Sequence, residues 1–131
     1  INDSSKLHEE NFFISDESAK KINSQLKDNK RIIAIGTTTL RALESSWNNE
    51  TNSVSPGKQT TTIFIKEGFK FNVANALLTN FHLPQSSLLM LVCAFAGKEL
   101  IFSMYEFAIK NNLRFFSYGD AMIIERCPLN Y

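Results

Sequence analysis

A polar cluster, Thr79-Asn80-Phe81-His82-Leu83-Pro84-Gln85-Ser86-Ser87, runs directly into an apolar block, Leu88-Leu89-Met90-Leu91-Val92-Cys93-Ala94-Phe95-Ala96, which stops at Gly97. His82 is its sharpest residue. A neutral imidazole near physiological pH gives or takes a proton, and the rigid Leu83-Pro84 step holds it still. An imidazole here also serves as a cap for the following helix or as a bond to a buried carbonyl. Gly36-Thr37-Thr38-Thr39 offers free amide N–H groups and hydroxyls that suit a phosphate or a carboxylate, and Arg41 adds charge-assisted bonds. The run lacks the lysine and spacing of a P-loop, so plain N-capping by a threonine explains it as well. Glu44 lies three residues after Arg41 on the same helical side, where a surface ion pair accounts for both. Tyr118-Gly119-Asp120 joins a phenol and a carboxylate at a flexible turn behind Phe115-Phe116. Burial among these rings would shift the Asp120 pKa, and a ring there can stack a base; turn formation and core packing are the simpler uses. No metal set assembles from His8, His82, Cys93 and the acids.

The elements that must position these groups follow from periodicity. Residues 11–14 suit a short strand ending at Ser15, a helix N-cap, and Ala19, Ile22 and Leu26 then recur at helical spacing over 16–28, with Lys20, Lys21 and Lys27 on a solvated face. Arg31-Ile32-Ile33-Ala34-Ile35 is apolar without alternation, as for a strand buried on both faces; Gly36 breaks it, and Leu40, Leu43 and Trp47 mark the inner face of a second helix. Strand, tight turn and helix make half of an α/β crossover unit. Residues 48–60 read as a mobile polar surface loop. Residues 61–65 and 69–73 flank Glu67-Gly68 as two strands around a turn. Pro84 forces Leu83 out of helical space, so Gln85, Ser86 or Ser87 opens a helix running to Ala96. That helix is apolar all round, which places it inside the domain. A further amphipathic helix over 98–111 and a closing strand over 121–124 complete one α/β domain spanning 1–131, layered α/β/α around a central, largely buried sheet.

With 131 residues, 44% of them hydrophobic, the chain can fill one core. Fourteen basic residues against 13 acidic ones give no overall basic field, so any RNA contact is local. Two cysteines form neither a disulfide framework nor a zinc spacing, which suits a reduced cytoplasmic protein. There is no N-terminal signal pattern, and the apolar block is far shorter than the roughly 20 residues that span a membrane.

Residues 79–97, together with Arg114-Phe115-Phe116-Ser117-Tyr118-Gly119-Asp120-Ala121-Met122 and with Gly36-Thr37-Thr38, Arg41 and Leu43-Glu44, closely resemble the S-adenosylmethionine:tRNA ribosyltransferase-isomerase family of queuosine biosynthesis. The likeness runs from about His8 to Ile124, with mild departures at Thr39, Gln85, Ser87, Cys93 and Leu113. Only this resemblance lifts His8 and Glu10, which match a His-x-Glu of the family. It implies the C-terminal part of the family's large domain, without its N-terminal sequence and small β-barrel domain; the start at Ile1 without an initiator Met favours a fragment. The implied reaction transfers and isomerises the ribosyl moiety of S-adenosylmethionine onto 7-aminomethyl-7-deazaguanine at the wobble position of a tRNA with a GUN anticodon, forming epoxyqueuosine and releasing adenine and methionine. S-adenosylmethionine is then a consumed substrate, and no separate cofactor or metal is needed. Mapped onto this chain, the resemblance makes His82 and Asp120 catalytic and Gly36, Thr37, Thr38, Arg41, Glu44, Asn80, Phe81, Ser86, Tyr118 and Gly119 substrate-binding, with the missing N-terminal part as partner. The alternative from another class is a non-catalytic α/β module that binds S-adenosylmethionine or tRNA.

Overall fold

A computed structural model describes residues 9–82, 86–114 and 119–128. Strand β1 (Glu10–Ile14) leads into α1 (Asp16–Lys27), whose N-cap Ser15 accepts a hydrogen bond from the Ser18 amide. Strand β2 (Ile33–Ile35) and α2 (Thr37–Ser45) follow, joined by Gly36 at φ 94°, a backbone setting that an L side chain strains. Next come β3 (Trp47–Asn48), β4 (Ser53–Val54), β5 (Gly57–Thr61) and β6 (Ala76–Asn80). Helix α3 (Ser87–Ala96) is N-capped by Ser86 and ends at Gly97, φ 100°, where the chain bends by 119° into α4 (Lys98–Lys110). Strand β7 (Ala121–Glu125) closes the fold.

Three strands in the order β2-β6-β7 form the largest sheet among the described residues. β2 runs parallel to β6 with Ile35 beside Leu78, and β7 runs antiparallel with Ala121 beside Asn80. Its inner face carries Ala34, Leu77, Met122 and Ile124 into a core shared with Leu40, Phe71, Phe95 and Ile101. Helix α3 is buried through Leu91, Val92, Ala94, Phe95 and Ala96, as its all-apolar composition requires. Among the described residues no single helix is long and apolar enough to cross a membrane.

The α/β architecture stands, with three corrections of detail. Strand β2 is not buried on both faces: Ala34 is covered, but Ile33 is 48% exposed and Ile35 68%, and Ile123 on β7 is 59% exposed. Ile35, Leu78 and Ile123 form one row across all three strands, so the sheet is covered on one face and open on the other. Residues 48–60 are not an unpaired loop. The β3–β4 hairpin runs into them from Trp47, which lies past the end of α2 and not on its inner face, with a turn that uses Asn52 at φ 50° and the Asn48 side chain; most of β5, which pairs antiparallel with β1, follows. Residues 61–65 and 69–73 are not two strands either: of them only Thr61, the last residue of β5, lies in a strand, although the turn at Glu67-Gly68 is real. Glu44 captures the backbone amides of Asn72, Val73 and Ala74, and those donors leave no ladder to build.

Candidate active site at the carboxyl ends of the parallel strands

Because β2 and β6 are parallel, their carboxyl ends coincide, and antiparallel β7 begins at the same end. Gly36-Thr37-Thr38, Asn80 to His82 and Gly119-Asp120 therefore meet at one edge of the sheet, the place where open α/β sheets bind ligands. The Gly36 amide extends the ladder by donating to the Leu78 carbonyl at 2.8 Å, and the Asn80 side chain reaches the Asp120 carbonyl at 3.5 Å.

His82 is half-buried, and its Nε2 lies 3.2 Å from the Thr79 hydroxyl. Its backbone N–H donates to the Tyr105 phenol at 2.6 Å, while the Tyr105 ring meets Phe81 edge-on with centroids 5.2 Å apart. Helix α4 thus braces the turn that presents the imidazole. Burial lowers the His82 pKa below its ordinary value, which favours the neutral form of the ring. Among the described residues it neither caps a helix nor bonds a carbonyl: Ser86 caps α3, accepting from the Leu89 amide at 3.1 Å. Thr79 and Tyr105 are supporting residues without an expected role; a tyrosine on the inner face of an amphipathic helix, its hydroxyl in need of a partner, was the available signal.

At the start of α2 no side chain among the described residues caps the helix, so threonine capping is not seen there, and the first turn, Thr37 to Thr39, follows directly on the carboxyl end of β2. Arg41 and Glu44 lie elsewhere. They are 3% and 5% exposed, which overturns the surface ion pair. Arg41 pairs with Glu10 on β1 and donates to the Ile63 carbonyl at 3.0 Å. Burial pushes the Glu44 carboxyl up, against the opposing pull of the Ala74, Asn72 and Val73 amides and of Arg126. Both residues position α2, and with it the Gly36-Thr37-Thr38 corner. Phe81 is buried against Tyr105, with its ring in the core.

Asp120 Oδ2 accepts from the Arg114 amide at 2.8 Å and lies 3.8 Å from Arg114 Nε, while the Asp120 amide donates to the Arg114 carbonyl. One carboxylate oxygen thus ties Arg114 to the residue just before β7. Gly119 adjoins it. His8, Phe115, Phe116 and Tyr118 lie outside the described residues.

Residues 2–124 match the family model described as queuosine biosynthesis protein. The chain belongs to that family. Relatives include the S-adenosylmethionine:tRNA ribosyltransferase-isomerases of Treponema denticola, 50% identical over 119 residues that make up 91% of this chain and 34% of the relative, and of Rickettsia africae, 54% identical over 121 residues, 92% and 33%. The crystal structure of S-adenosylmethionine tRNA ribosyltransferase from Thermotoga maritima is similar with a TM-score of 0.76 at 41% identity, covering 87% of this chain and 40% of that one. The chain therefore spans about a third of the length of its curated family relatives.

Proposed function

We propose that this chain carries the proton-transfer end of a cytoplasmic S-adenosylmethionine:tRNA ribosyltransferase-isomerase, which moves and isomerises the ribosyl group of S-adenosylmethionine onto 7-aminomethyl-7-deazaguanine at the wobble position of a GUN-anticodon tRNA. The observation that carries this reading is His82, half-buried and held by Thr79 and Tyr105 at the carboxyl ends of β2 and β6, in a chain of this family. Methionine departs as a thioether from its sulfonium, so the reaction needs a base for the carbon beside sulfur and a proton for departing adenine. His82 serves as that proton carrier. The α2 amides at Thr37 and Thr38 hold the methionine carboxylate, and Asn80 and the second carboxylate oxygen of Asp120 orient ribose or the substrate amine.

The open sheet face, with Ile35, Leu78 and Ile123, is covered by the part of the family's length that this chain does not span, which completes the site. Incubating the chain with and without that remaining part, with S-adenosylmethionine and tRNA bearing the aminomethyl deazaguanine, tests the reading by adenine release. Release only with both parts is expected. Turnover by the remainder alone contradicts it, and tight binding of S-adenosylmethionine or tRNA by both parts together without turnover favours the non-catalytic module.

A further inference from the structure

At the amino end of the three-stranded sheet, opposite His82, a concavity of about 620 Å³ opens between the end of α1, the β3–β4 hairpin and residues 72–75. Lys27, Lys30 and Arg126 line it, with no carboxylate among its described lining, in a chain whose net charge is only +1. Arg126 is anchored by donating to the Phe71 carbonyl at 3.1 Å, and its charge also bears on buried Glu44. Lys27 and Lys30 are exposed, and neither has an ion pair among the described residues. The Lys30 backbone is fixed: its amide donates to the Gln25 carbonyl and that of Asn29, at φ 56°, donates to Leu26, which closes the carbonyl end of α1. Trp47 adds a flat, half-buried ring, oriented by its Nε1 donating to Asn49 at 2.9 Å.

We infer that this concavity docks an RNA strand, its phosphates on Lys27 and Lys30 and a base against Trp47. The inference rests on the function proposed above and adds the surface that takes the RNA. Lys27 and Lys30, exposed and without an ion pair among the described residues, attract a polyanion, and an indole beside them accepts an unstacked base. A lone phosphate has no use for the ring and fills little of the space. The five-residue β6 separates the concavity from the candidate active site, about 17 Å at strand rise, so one folded RNA arm can touch both.

Trp47 is the chain's single tryptophan, so its emission reads this site alone. Titrating the chain with an unmodified anticodon stem-loop needs neither S-adenosylmethionine nor turnover, which separates this test from adenine release. Saturable, salt-sensitive quenching is expected. K27E/K30E should weaken the affinity at least tenfold and lower the salt slope by roughly one per lysine, whereas the charge-matched K20E/K110E, outside the concavity, should bind as the parent does. No saturable quenching, a K27E/K30E curve equal to the parent's, or equal quenching by polyglutamate, which would mark an acidic protein partner, overturns the inference.

Discussion

Glu44 holds three backbone amides of a segment that has no strand partner, so its removal orphans those donors in the interior. An unsatisfied buried donor costs about 1–3 kcal/mol, so Glu44→Ala should destabilise the chain by at least about 3 kcal/mol in urea unfolding, and Glu44→Gln, which keeps an acceptor, by clearly less. His82 makes a pH prediction. Burial sets its folded pKa below 6.5, so the unfolded chain binds the proton more readily in that window. The stability His82 contributes is complete above pH 6.5 and is lost as pH falls through the lowered folded value; the acid limb of the activity profile should likewise fall below pH 6.5. His82→Gln, which cannot titrate, should remove its share of the acid-side stability loss in pH-dependent melting. The residue types at this site were legible, since the motif around His82 is long. The interior placement of Arg41 and Glu44 was not. Their spacing of three puts them on one helical side, but what that side faces is decided by partners 22 to 31 residues away.

Helices were legible where their ends are local. Ser15, Ser86 and Gly97 cap or stop α1 and α3 within a few residues, so sequence and structure agree to about one position. Strands depend on distant partners: β5 exists because it pairs with β1, and residues 69–73 lose their ladder to one carboxylate. Strand β2 looked doubly buried because Ile33 and Ile35 are as apolar as Ala34, although only Ala34 faces the core. That open face supplies a prediction at the same scale. Because Ile35 and Ile123 are exposed, Ile35→Glu and Ile123→Glu should leave the chain's own melting within about 0.5 kcal/mol, while abolishing complementation by the remaining part of the enzyme. Gly36→Ala should cost about 1–2 kcal/mol from strain at φ 94° and displace the α2 amides, raising KM for S-adenosylmethionine.

For the whole molecule, family membership and α/β class were legible because the motif blocks are continuous, whereas the way the sheet edge gathers Gly36, Asn80 and Asp120 was not, since it depends on a parallel pairing between residues over 40 positions apart. In the chain α2, β6, α4 and β7 converge on one end of the three-stranded sheet, whose outer face carries the exposed Ile33, Ile35 and Ile123. Alone the chain should bind S-adenosylmethionine weakly and release no adenine. The most direct measurement is adenine release by the complete enzyme carrying His82→Gln, compared with the parent at saturating S-adenosylmethionine and tRNA. If His82 carries the proton, kcat should fall about 100-fold or more while KM for tRNA stays near the parent value. Adenine release within about twofold of the parent, with the variant folded, would contradict the assignment of proton transfer to this end of the sheet.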